Sequence, residues 1–231
     1  MNSGTPKITE HVPRGQICCD DQWEAAYERF ETPEQEIQKF IGRLKRFGFE
    51  SVPKDARIAE MFCGRGNGLV ALETMGFTNV VGLDLSDTLL DQYAGPFELH
   101  LADCTDIPLD SDTFDAVIVH GGLHHLPTLP RDLEQCLAGV ARILKRDGTF
   151  YAVEPWSTPF LVAVHMIVQN PLVRKVYAKG DALAEMIDRE RVTYEQWLRQ
   201  PSEVAAVFDK HFESRIDTKS WGKLTYAGTP R

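Results

Sequence analysis

Hydrophobic and polar positions follow two rhythms along this chain. Between residues 56 and 155, apolar runs at 56–62, 79–85, 97–102, 114–120 and 148–154 read as strands. Helix-period stretches at about 67–75, 87–94 and 130–145 fill the gaps. Ala116-Val-Ile-Val119 is apolar at every position, as a strand covered on both faces must be. This alternation predicts an α/β fold, a doubly wound and mostly parallel sheet with ligands at the carboxyl ends of its strands.

The flanks have a different rhythm. Residues 1–22 read as a loosely ordered lead-in, followed by a short amphipathic helix from Trp23 to Phe30. Thr32, Pro33 and Gln35 make a capping box with proline at the first helical position. The helix they start carries Ile37, Phe40, Ile41, Leu44 and Phe47 on one face and ends at Gly48. After Pro155 come four short helical patterns (160–169, 172–178, 182–189, 194–200), then a hairpin with strands at 213–220 and 223–229 around Trp221-Gly222. The expected organisation is therefore a helical lid (1–55), a nucleoside-binding core (56–155), a helical insert on the substrate side (156–212) and a terminal hairpin (213–231). That hairpin completes a seven-stranded sheet.

Composition narrows the partners. The 231 residues are 43% hydrophobic and 26% charged, with a net charge of −9. Nucleic acids and anionic membranes both need a basic face, so neither is an expected partner. The basic clusters Arg43/Lys45/Arg46 and Arg142/Lys145/Arg146 lie near predicted helix C-termini, where cations complement the helix dipole. The longest apolar run, Pro159 to Val168, is broken by His165 and is too short to span a bilayer. The N-terminus lacks the apolar stretch of a secretory signal. Five cysteines (18, 19, 63, 104, 136) without zinc-ligand spacing fit a reducing cytoplasm.

The chemistry concentrates where the first strand turns into a helix, at Ile58-Ala-Glu-Met-Phe-Cys-Gly-Arg-Gly-Asn-Gly-Leu69. Glycines 64, 66 and 68 let a ligand approach backbone N–H groups at the helix N-terminus. Asp84 ends the second strand, where a carboxylate can hold both hydroxyls of a ribose. Dinucleotide enzymes space their glycines G-x-G-x-x-G to seat a pyrophosphate, but here the third position is Leu69. Glu60, inside the end of the strand, repels a pyrophosphate and attracts an ammonium group. S-adenosylmethionine has that ammonium and no phosphate.

These motifs resemble the class I, Rossmann-like S-adenosylmethionine-dependent methyltransferases, in particular the small-molecule branch that includes the ubiquinone/menaquinone C-methyltransferases. The resemblance covers residues 56–155. It rests on Glu60-x-x-Cys63-Gly64-x-Gly66-x-Gly68, Asp84, Ala102-Asp103-Cys104, the run from Ile107 through Asp115 to Leu123-His-His-Leu126, and Leu144-Lys-x-x-Gly148-Thr-Phe150. It implies cofactor contacts at Glu60, Phe62, Cys63, Gly64, Gly66, Asp84, Leu85, Asp103, Cys104 and His120. Asp103 is to take the adenine amine and the Cys104 N–H to meet the ring. Phe62 departs from the pattern, since the family usually has its first glycine there.

His120, at the end of the fourth strand, has two readings: a base toward the methyl acceptor, or a residue whose backbone carbonyl alone holds the cofactor's amino group. Adjacent His124 and His125 diverge within a helix, so no metal site is expected. His124, Glu154, Trp156 and His165 are the candidate acceptor-side residues. The expected activity is methyl transfer to a small molecule on oxygen, carbon or nitrogen. S-adenosylhomocysteine is the expected product. A non-catalytic cofactor-fold regulator and an NAD-type oxidoreductase are the alternatives, and oligomeric state is open.

Overall fold

The computed structural model describes residues 6–15 and 21–231; Cys18 and Cys19 lie outside them. The strands are β1 (Ile8–Glu10), β2 (Ile58–Met61), β3 (Val80–Asp84), β4 (Glu98–Leu101), β5 (Phe114–His120), β6 (Leu144–Pro155), β7 (Phe212–Ser220) and β8 (Lys223–Pro230). The helices are α1 (Asp21–Phe30), α2 (Pro33–Arg46), α3 (Asn67–Thr74), α4 (Asp87–Leu90), α5 (Arg131–Ile143), α6 (Pro159–Val168), α7 (Pro171–Val176), α8 (Ala178–Arg189), α9 (Arg191–Arg199) and α10 (Pro201–His211).

The sheet runs β1-β4-β3-β2-β5-β6-β8-β7, parallel throughout except for the β6–β8 and β8–β7 pairings. Strand order reverses on either side of β2, which makes the carboxyl edge of β2 and β5 the switch point where ligands bind. The sheet has eight strands rather than the expected seven. Ile8, Thr9 and Glu10, read from sequence as lead-in, pair in parallel with Leu99, His100 and Leu101. Three residues are too few for periodicity to register, so this strand carried no readable signal.

Both faces of the sheet are covered. On β5, Val117 and Val119 join the cluster that includes Leu133, Leu137, Val140 and Phe208 beneath α5 and α10. Ala116 and Ile118 join the opposite cluster with Phe40, Leu44, Leu69 and Leu72 beneath α2 and α3. Each fully buried aliphatic side chain contributes roughly 1.5–3 kcal/mol, which is why these central strands are apolar at every position. The capping box of α2 is formed, with the Thr32 side chain accepting from the Gln35 N–H and Gln35 reaching back to the Thr32 N–H. Helix α10 had no counterpart in the sequence reading, although Pro201 at its start and Val204, Val207 and Phe208 at helical spacing mark it.

Candidate functional site

The bend after β2 is built by backbone geometry that few residue types tolerate. Phe62, Gly64 and Gly66 have φ of 55°, 52° and 82°, the left-handed region natural to glycine. Phe62 holds this conformation without being glycine, and its ring lies on Gly122. A Cβ at Gly122 would sit 2.2 Å from the Phe62 ring. The three glycines of the motif turn out to serve different neighbours. A Cβ on Gly64 meets only Leu89, at 3.8 Å, so this glycine keeps open backbone for a ligand. A Cβ on Gly66 would strike the Tyr93 ring, and one on Gly68 would sit 1.7 Å from a carboxylate oxygen of Glu60. The third glycine thus makes room for an acid of the same motif.

Asp84 ties the bend to β3. Its Oδ2 accepts from the Gly64 N–H at 2.8 Å and its Oδ1 from the Ser86 N–H at 2.9 Å. A carboxylate has about four acceptor positions, so room remains for a hydroxyl donor. Burial pushes the Asp84 carboxyl up, against the pull of the Ser86, Gly64 and Leu85 backbone donors. Leu85 follows at the strand end, half-buried. Asp103 turns one oxygen back onto Thr105, accepting from its N–H at 2.8 Å and its hydroxyl at 2.7 Å. Cys63 and Cys104 are buried, and burial first of all pushes both thiols well up, so they pack as neutral groups.

Glu60 is buried, and its Oε2 has no partner. Burial, then the carboxylates of Glu36 and Asp84, push it well above the usual carboxylate range. Its near neighbour is His120, whose Nδ1 lies 3.8 Å from Glu60 Oε1, beyond hydrogen-bond reach. The His120 ring is stacked on Phe40, with centroids 4.5 Å apart and 17° between planes, and neither ring nitrogen has a partner. Burial, then Arg43 and Lys39, hold it neutral. The imidazole is nearly inaccessible while the residue as a whole is half-buried, which leaves the main chain as its open part.

A second group lies at the same edge of the sheet, where β5 and β6 end. Glu154 is 1% exposed. Its Oε1 accepts from the Gly122 and Leu123 N–H groups, both at 2.9 Å, and its Oε2 meets His124 Nδ1 at 2.7 Å. Burial opposes charge on His124, but Glu154 and Glu190 outweigh it and raise the imidazole to about 9. His124 and His125 lie on a 3₁₀ turn, Leu123–His125, with ring centroids 4.2 Å apart. The divergence expected of adjacent α-helical residues therefore does not occur. Glu190, at the α8–α9 junction, faces both rings. Sequence reasoning missed it, because nothing local distinguishes it among the charges of the insert.

The remaining acceptor-side candidates are placed apart from this group. Trp156 is buried edge-on against Trp197, with Lys219 over its ring. His165 is half-buried, and burial lowers it; its Nε2 lies 3.1 Å from Tyr194 Oη, and Tyr194 in turn is edge-on to His124.

Helix α1 covers the bend. Glu28 pairs with Arg65 at 3.1 Å, Trp23 stacks on Tyr27 and is edge-on to His125, and Arg29 reaches Asp181 and Glu185 of α8. Beneath it Glu36, one of two first-turn acids of α2, accepts from Tyr27 Oη and, at 2.6 Å, from Asn67 Nδ2.

Comparison with known proteins agrees with this geometry. Residues 60–152 match the family model described as a methyltransferase domain. A demethylmenaquinone methyltransferase of Clavibacter sepedonicus is 31% identical over 150 residues, 60% of this chain and 55% of the relative. A ubiquinone/menaquinone biosynthesis C-methyltransferase of Citrifermentans bemidjiense is 28% identical over 132 residues, covering 52% and 54%. The chain spans about half the length of these curated relatives. Among solved structures, a Pyrococcus horikoshii protein superposes with a TM-score of 0.66 at 17% identity, covering 92% of this chain and all of that one. An S-adenosylmethionine-dependent methyltransferase of Mesorhizobium loti gives 0.54 at 17%, covering 81% and 97%. At such identities these last two show the fold.

Proposed function

We propose that residues 60–152, which match the methyltransferase-domain family model, form a class I, Rossmann-like methyltransferase domain, and that the chain transfers a methyl group from S-adenosylmethionine to a small-molecule acceptor, releasing S-adenosylhomocysteine. The observation that carries this reading is the charge around the glycine bend. Glu60 is buried with an unpartnered oxygen, and the Glu36 and Asp84 carboxylates act on it. Such a site favours a cationic ligand and disfavours a pyrophosphate. Leu69, where a dinucleotide fold has its third glycine, is fully buried, so no observation favours a nicotinamide cofactor.

The residues fit the donor. Asp84 receives the ribose hydroxyls, and the Asp103 carboxylate and Cys104 N–H take the adenine edge. Glu60 and the His120 main chain face the ammonium group. When bound, the donor supplies a methyl group on a cationic sulfur. The work of the protein is to align the acceptor in line with that sulfur and to exclude water, which Phe62 and the cover of α1 serve. The sequestered imidazole of His120 supports its backbone reading; a side chain stacked on Phe40 and closed off from its surroundings is out of reach of an acceptor proton. The net charge of −9 supports a small acceptor over a nucleic acid.

Titration calorimetry tests the reading. S-adenosylmethionine and S-adenosylhomocysteine are expected to bind with micromolar affinity and NAD not at all. Asp84→Ala is expected to weaken both ligands roughly 10- to 100-fold, the equivalent of about one charge-assisted hydrogen bond. A flat trace with both ligands, or NAD displacing them, would overturn it.

A further inference from the structure

We propose that His124, His125 and Glu190 bind one divalent transition-metal ion, with Glu154 as the outer partner that orients His124. The ligand atoms of the three residues all lie within 4.8 Å of one another. His124 Nε2 is 3.7 Å from Glu190 Oε2, and His125 Nδ1 is 3.7 Å from Glu190 Oε1. Both separations are too long for hydrogen bonds. They are close to the roughly 3.4 Å between two ligands that share a tetrahedral ion at about 2.1 Å. The buried Glu190 Oε1 has no hydrogen-bond partner, an orphan that a cation satisfies.

The surroundings agree with this donor set. Glu154 holds His124 Nδ1 at 2.7 Å and so presents Nε2 toward Glu190, the carboxylate–histidine arrangement that fixes ring orientation behind a metal. Two imidazoles with one direct carboxylate suit a first-row transition metal rather than magnesium or calcium, which take oxygen ligands. The His125 side chain is 38% exposed, which gives an ion a way in. Three protein ligands leave a coordination position for water or another oxygen ligand. The site is separate from the glycine bend, and the proposal does not depend on the methyl-transfer reading.

Cobalt(II) is the probe, added to tag-free, chelator-stripped full-length chain with visible absorption and calorimetry as readouts. The expected result is a saturable d–d band at one cobalt per chain, displaced by zinc. His125→Ala and Glu190→Gln are each expected to weaken binding at least about 100-fold, and Glu154→Gln about 10- to 100-fold, with the far-ultraviolet circular dichroism unchanged. His125 is exposed enough for its replacement to leave the fold intact. No saturable band with the wild-type chain, or cobalt affinity unchanged in both His125→Ala and Glu190→Gln, would overturn the proposal.

Discussion

Glu60 stands in a conflict that the free chain resolves by holding a proton. Its folded pKa is raised by burial and by Glu36 and Asp84, so proton binding favours the folded state. The penalty for ionising it appears as pH rises above the unfolded value of about 4.3 and through the folded one. Glu60→Gln removes that penalty. In thermal melts the variant is expected to gain on the wild type as pH increases, with roughly 2–4 °C per kcal/mol for a chain of this size. Calorimetry on the same variant is expected to show weaker S-adenosylmethionine binding. A gain that shrinks with pH would mean the carboxylate is stabilising where it is. Phe62 poses a steric question instead. A Cβ at Gly122 would lie 2.2 Å from the Phe62 ring, so Gly122→Ala is expected to cost roughly 1–3 kcal/mol. In a Phe62→Gly background that cost should fall to below about 0.5 kcal/mol in urea denaturation. Equal costs in both backgrounds would place the constraint on Gly122 elsewhere.

Among the elements, α1 is held differently from the rest. Besides the buried Ala26 and the Tyr27–Glu36 hydrogen bond, its polar ties to α8 and to the bend are partly exposed ion pairs: Arg29 with Asp181 and Glu185, and Glu28 with Arg65. Such pairs contribute little individually, while α2 packs Phe40 and Leu44 into a core cluster. Amide hydrogens of α1 are therefore expected to exchange faster than those of α2 and β5, and to slow when S-adenosylhomocysteine is bound. Exchange in α1 as slow as in β5 without ligand would show that it is no lid. The other elements divide by how local their cause is. The capping box of α2 and the glycine bend were legible because each is written within a few consecutive residues. β1 was not, since its identity as a strand comes entirely from pairing with Leu99 to Leu101. α10 was legible in principle from Val204, Val207 and Phe208.

At the level of the molecule, the readable part of the chain is the part whose chemistry follows one strand–turn–helix unit after another. Asp84 could be picked out because it ends β3, and Asp103 because it follows two residues after β4. Glu154 could be placed at the mouth, but its work as the partner of His124 could not, because those two residues are 30 positions apart. Glu190 belongs to the same case, contributed by an insert whose short helices pack through long-range contacts. β8 pairs antiparallel with β6, opposing Leu224 to Glu154 and Lys223 to Pro155. During synthesis, the strand bearing Glu154 therefore lacks this neighbour until residues 223–230 leave the ribosome. The glycine bend can assemble early from local pairings. The histidine turn gains its full support only after residues 223–230 have emerged, so nascent chains should acquire the two groups in that order.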